Sequence, residues 1–216
     1  MRIAVLASGR GSNLQAFIDA IEKGLIQAEI VAVVSDKPGS QALERARRHG
    51  IETAVFEERE YPDRQEYDAA LIHYLQEKEV ELICLAGFMR ILSSTFVRTF
   101  ANRIINIHPS LLPAFPGLNA QKQALDYGVK FSGCTVHFVD EGMDTGPIIS
   151  QRVVPVLDGD SVESLSERIL EQEHELYPLV LQWLVSGNVQ VNGRKVSIVE
   201  GGNSGAEQKK SSGKCF

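Results

Sequence analysis

Short apolar runs alternate with amphipathic segments through the first half of this chain, and that alternation constrains the fold more than any other feature. Ile3 to Ala7 reads as a buried strand. A helix follows with Leu14, Phe17, Ile18 and Ile21 on one face, and Gly24 closes it. Ile30 to Val34, Thr53 to Phe56, Leu82 to Ala86 and Ile104 to His108 repeat the strand signal. Between them fall helices at Leu43 to Arg48, along the stripe Tyr67, Ala70, Leu71, Tyr74 and Leu75, and from a Ser93 cap to Phe100. Strands apolar on both faces, alternating with helices, imply α/β architecture: a Rossmann-like, mostly parallel central sheet with helices on both faces.

The pattern changes after Pro109. A Pro- and Gly-rich loop runs to Leu118, and a short helix follows near Gln123. Two longer strands, Ser132 to Val139 and Pro147 to Val154, precede a long helix from Val162 to Leu184. Val189 to Val199 carries Asn192-Gly193, a hairpin signal. Residues 1–200 read as one domain and 201–216, rich in Gly, Ser and Lys, as a disordered tail.

A net charge of −6 argues against a nucleic-acid or membrane-surface role, because polyanion binding needs a basic face. No apolar stretch approaches the ~18 residues of a membrane span. The apolar start, Arg2 to Leu6, is too short for a signal peptide, so the expected location is the cytoplasm. Cys84, Cys134 and Cys215 make no disulfide framework and no metal spacing, and the first two read as small buried hydrophobes.

In a parallel sheet, ligands bind at the carboxyl ends of the strands, and three segments converge there. Ser8 to Asn13 links the first strand to the first helix. Its glycines and the free N–H groups of a helix start suit a phosphate, against the plainer reading of a tight turn. A dinucleotide fingerprint with Asp36 as the ribose acid would want a third glycine where Leu14 stands. Asn106 and His108, two apart on a strand, share a face, and both are costly there unless satisfied. An Asn amide can donate to an oxyanion, and an imidazole can move a proton near neutral pH. Asp144, between Gly142 and Gly146, is the carboxylate best placed to orient that imidazole.

Glu173 falls inside the apolar stripe Val162, Leu165, Ile169, Leu176, Val180 and Trp183, so it faces the core. Either a salt bridge or an amine-bearing substrate would account for it. His49, His73, His137 and His174 read as structural, and no group of ligands has zinc spacing.

Four segments, in this order and spacing, resemble the phosphoribosylglycinamide formyltransferases, single-domain and folate-dependent: Ser8 to Gln15, Leu85 to Leu92, Asn106 to Pro113, and Gly133 to Asp140 continuing to Asp144 to Pro147. The resemblance runs from Met1 to about Val185. It implies the formyltransferase version of the fold and a role in purine biosynthesis and one-carbon metabolism. The co-substrate would be 10-formyltetrahydrofolate and the acceptor glycinamide ribonucleotide, with no metal, no nucleic acid and no membrane partner, in a monomer or homodimer. The implied catalytic residues are Asn106, His108 and Asp144. Gly11, Ser12, Asn13 and Glu173 would hold the ribonucleotide. Arg64, Met89, Arg90, Ile91, Leu92, Asn106, Asp140 and Asp144 would hold the folate.

Related formyltetrahydrofolate hydrolases carry an extra N-terminal domain, for which a first strand at Arg2 leaves no room. Methionyl-tRNA formyltransferases carry an extra C-terminal domain. A dinucleotide-binding protein is the rival from another class.

Overall fold

The structure is a computed structural model, and it describes residues 1–199. The tail expected at 201–216, with Cys215, lies outside the described residues. The elements run β1 (Arg2–Leu6), α1 (Ser12–Glu22), β2 (Glu29–Ser35), α2 (Gln41–Arg48), β3 (Thr53–Val55), α3 (Arg64–Glu77), β4 (Leu82–Leu85), α4 (Ser94–Thr99) and β5 (Ile104–His108). Then come α5 (Ala120–Tyr127), β6 (Phe131–Phe138), β7 (Ile148–Pro155), α6 (Val162–Val185), β8 (Val189–Asn192) and β9 (Lys195–Ile198).

β1 to β7 form one seven-stranded sheet in the order β3-β2-β1-β4-β5-β6-β7. The first five strands pair parallel, whereas β6 and β7 run antiparallel. The reversal at β6 is why the βα alternation fades after Pro109: antiparallel neighbours need no helical crossover between them. β8 and β9 make the expected hairpin, with Gly193 at its turn.

Side chains alternate across the sheet with period two. Ile3, Val5, Ile105 and Ile107 join Leu14, Phe17, Leu43, Ala124, Leu176 and Tyr177 in a core under α1, α2, α5 and α6. Ala4, Leu6, Ile83 and Ile104 join Tyr67, Leu71, Leu75, Phe96 and Phe100 under α3 and α4. Cys84 and Cys134 are buried, as their apolar surroundings suggest, and burial pushes the Cys134 thiol up to about 12.

On the α3/α4 face the apolar cluster reaches β5 at Ile104 and β6 only at its end, near Val139. Beyond Ile104 the strands carry Asn106 and His108 on that face, opposite His137 and Thr135. This polar half is roofed by the loops after β5 and after β6. Among the described residues, no helix is long and apolar enough to cross a membrane.

Candidate active site

His108 is buried at the last position of β5. Its Nε2 lies 2.9 Å from the Phe115 carbonyl, and its Nδ1 lies 3.4 Å from Asp144 Oδ2. Both neighbours are acceptors, so the ring satisfies both only when both nitrogens carry hydrogen. Asp144 sits in the β6–β7 loop at φ 54°, a left-handed conformation that Asp tolerates better than most residues. The Gly117 N–H donates to its Oδ2 at 2.8 Å and fixes the carboxylate from the opposite loop. Residues 36 apart in the chain thus meet because two loops close over one strand end.

Asn106 is oriented by a residue that sequence reading set aside. His137 stands directly opposite it in the antiparallel β5–β6 ladder. His137 Nδ1 lies 2.8 Å from the Phe138 carbonyl, which can only accept, so Nδ1 carries the hydrogen. Burial lowers the His137 pKa, outweighing the Phe138 carbonyl and the Asp144 carboxylate, which both favour the cation. The neutral ring then offers Nε2 as an acceptor, and Asn106 Nδ2 donates to it at 3.2 Å. That fixes the amide and leaves its second N–H for another acceptor. Asp144 Oδ1 also lies 3.7 Å from His137 Nε2, which carries no hydrogen to donate, so the carboxylate sits between the two imidazoles and pairs with His108 alone.

His137, read from the sequence as structural, is buried among the site residues and orients one of them. The signal was present in the sequence, since Thr135 and His137 are polar at period two among Cys134, Val136 and Phe138. What was missing was the β5–β6 register, which pattern alone does not set. His49 and His73 do lie at the surface, beside Glu22 and Glu77.

Gly11 precedes α1 at φ 72°, and among the described residues no side chain caps the helix. The first N–H groups of α1 therefore have no side-chain acceptor, which makes them suited to an anion. Glycine is required here twice over: a Cβ would stand 2.7 Å from the Ala42 Cα of α2, and φ is left-handed. Leu14, where a dinucleotide motif would want glycine, is fully buried in the α1 face of the core.

Asn13, on the first turn of α1, donates through Nδ2 to Glu173 Oε2 at 2.8 Å. Glu173 is buried, and among the described residues no Lys or Arg forms a salt bridge with it. Burial raises its pKa, against the Asn13 hydrogen bond and the charge of Arg10. Removing a carboxylate from water costs several kcal/mol, more than one charge-assisted hydrogen bond of about 1.5–3 kcal/mol returns. Asn13 Oδ1 is also buried and has no partner among the described residues. One turn beyond Glu173, the Tyr177 hydroxyl is shared between the carbonyls of Leu85 and Ile105, at 3.0 and 3.1 Å. α6 is thus pinned over the ends of β4 and β5, next to Asn106.

The segment after β4 supplies a different surface. The Met89 N–H donates to Ser8 Oγ at 3.0 Å, tying it to the end of β1. Arg64, at the start of α3, donates to the Ile91 carbonyl at 2.6 Å. Arg90 stacks over Tyr67 at 4.2 Å and pairs with Glu58 at 2.7 Å. Met89 and Ile91 are exposed beside these cations, while Leu92 packs on the core. Asp140 accepts from Thr145 Oγ1 at 2.6 Å and from the Gly142 N–H at 3.1 Å, which shapes the loop that presents Asp144. Among the described residues, no three His, Cys, Asp or Glu side chains are grouped to hold a metal ion.

A family model described as "Formyl transferase" matches residues 1–181. The chain is 54% identical over 201 residues to the trifunctional purine biosynthetic protein adenosine-3 of Drosophila pseudoobscura pseudoobscura, covering 92% of this chain but 14% of that protein. It thus spans a small fraction of the multifunctional relatives it matches. It is 46% identical over 192 residues to the phosphoribosylglycinamide formyltransferase of Escherichia coli (strain K12), covering 89% of this chain and 91% of that one. The crystal structure of glycinamide ribonucleotide transformylase 1 from Symbiobacterium toebii superposes with a TM-score of 0.91 at 50% identity, covering 93% and 94% of the two chains. With its mostly parallel sheet and its polar cluster at the end of β5, the chain belongs to the formyl transferase family.

Proposed function

We propose that this protein transfers the formyl group of 10-formyltetrahydrofolate to the amine of glycinamide ribonucleotide, with residues 1–200 as the catalytic unit. The observation that carries the reading is the contact between His108 and Asp144 at 3.4 Å, beside an Asn106 amide that His137 holds in one orientation.

The neutral amine attacks the formyl carbon, and the carbonyl oxygen takes on negative charge. The free N–H of Asn106 donates to that oxyanion, contributing about 2.7–4 kcal/mol in a dry site, and the His108 ring joins it by exchanging the Phe115 carbonyl for the oxyanion as the acceptor of its Nε2–H. Asp144 orients His108 and assists the proton that leaves the amine on its way to the folate nitrogen. The C–N bond to folate then breaks, giving tetrahydrofolate and the formylated ribonucleotide.

The phosphoryl group lies on the α1 N-terminus at Gly11, Ser12 and Asn13. Glu173 and the unpartnered Asn13 Oδ1 receive donors from the rest of the ribonucleotide. The folate lies along Met89, Arg90, Ile91 and Leu92 and against Asp140 and Asp144, with Arg64 near its glutamate tail. Exposed apolar side chains flanked by arginines suit a flat aromatic body with a carboxylate tail.

The test is release of tetrahydrofolate from 10-formyltetrahydrofolate with and without glycinamide ribonucleotide. Release that depends on the ribonucleotide is expected. Equal release without it would make the protein a hydrolase.

A further inference from the structure

A phosphomonoester is close to a dianion at neutral pH, and the elements that would surround it are acidic. α1 contains no Lys or Arg and carries Asp19 and Glu22. α6 carries five glutamates and one arginine, Arg168. That arginine is committed: it donates to both Asp160 oxygens, at 2.7 and 2.8 Å, and to the Pro155 carbonyl at 2.9 Å. Helix N–H groups alone would have to hold the charge beside the Glu173 carboxylate.

Two arginines lie outside those helices and next to the turn. Arg10 precedes Gly11 and is exposed, and its side chain makes no hydrogen bond or ion pair among the described residues. It is near enough to Glu173 and His174 for its charge to lower the pKa of each, although burial is the larger effect on both. Arg45 of α2 donates from Nε to the Arg10 carbonyl at 2.9 Å and from Nη1 to Gln15 Oε1 at 3.2 Å. It therefore straps the turn to α1. Beside it a groove of about 440 Å³ opens at Ser12, lined by Gln15, Arg45 and His174 among others. Among the described residues, His174 Nε2 is buried there with no partner, and so is Asn13 Oδ1 at the turn itself. Asn13 is only 8% exposed, and its open acceptor is a second sign of a ligand at this helix start.

We infer that Arg10 is the ionic partner of the substrate's phosphoryl group, and that Arg45 is a positioning residue that holds the turn carrying it. This rests on the proposed function for the identity of the phosphomonoester, but the site itself can be tested without formyl transfer. A guanidinium with no partner among the described residues, one residue before a helix N-terminus, can fold over a phosphate with bidentate geometry that a lysine does not reproduce.

The experiment measures thermal unfolding of the native protein, Arg10→Gln and Arg10→Lys with millimolar ribose 5-phosphate, and with ribose as the uncharged control. Ribose 5-phosphate should raise the Tm of the native protein, hardly raise that of Arg10→Gln, and give an intermediate shift with Arg10→Lys. In steady state, Arg10→Gln should raise KM for glycinamide ribonucleotide by about 10-fold or more, the loss of one charge-assisted contact, and leave KM for the folate in place. Arg45→Gln should raise the same KM by less. An Arg10→Gln protein stabilised as strongly as the native one, or a native protein that ribose 5-phosphate does not stabilise, would overturn the inference. Loss of the Tm shift in Arg10→Gln together with no formyl transfer in the native protein would leave the anion site standing and sink the proposed function alone.

Discussion

At the scale of single residues, the site works by fixing hydrogen positions. His137 is a neutral acceptor, Asn106 donates to it, and Asp144 sits between two imidazoles. Asp144→Asn should keep its size yet lower turnover by about 100-fold or more, read as kcat under saturating substrates. His137→Phe should lower kcat about 10-fold through misplacement of Asn106, with smaller changes in either KM. Glu173 gives the opposite balance between stability and function. Its folded pKa is raised above the unfolded value of 4.5. The native state therefore holds the proton more tightly, and the associated stability is complete below pH 4.5 and is lost as pH rises through the folded pKa. Glu173→Gln should accordingly match the parent near pH 4 and exceed it at pH 7, by about 2–4 °C for each kcal/mol relieved. Its KM for the ribonucleotide should rise. A Tm difference that grows toward acid pH would show that the carboxylate is not destabilising when charged.

At the scale of elements, the strands and helices of the parallel half were legible because both faces are buried and each strand reads as an apolar run. The antiparallel β6–β7 pair was legible as two strands but not as a reversal, because alternation has the same period in either direction. Asn106 and His108 could be found as polar residues on one face of β5. His137 could not be linked to them, since the link is a register across 31 residues. The Arg64–Ile91 contact was invisible for the same reason, and only family resemblance had pointed to Arg64. Gly11 illustrates the reverse case: its need for glycine looked like a phosphate feature, yet α2 packing demands it as well. Gly11→Ala combines a left-handed alanine with a clash against Ala42, together about 2–5 kcal/mol. Its Tm should fall by at least about 4 °C, at about 2–4 °C per kcal/mol for a domain this size. Gly9→Ala, with nothing near the new Cβ, should stay within about 0.5 kcal/mol.

At the scale of the whole molecule, the sheet brings two polar clusters to its carboxyl edge. One is built on α1 and α6, the other on β5 and the loops around Asp144, and the Tyr177 hydroxyl joins them beneath. Ligands that engage such elements only when folded stabilise the fold by mass action. Glycinamide ribonucleotide at 100 times its Kd should add about 2.7 kcal/mol, a Tm rise of roughly 5–11 °C. The most direct measurement is a crystal structure with glycinamide ribonucleotide and a formyl-folate analogue that cannot release its one-carbon group. The reacting carbon should lie about 3–3.5 Å from the substrate amine, with its oxygen within about 3 Å of Asn106 Nδ2 or the His108 ring. A one-carbon group bound away from the end of β5, with Asn106 and His108 facing only protein or solvent, would contradict the assignment.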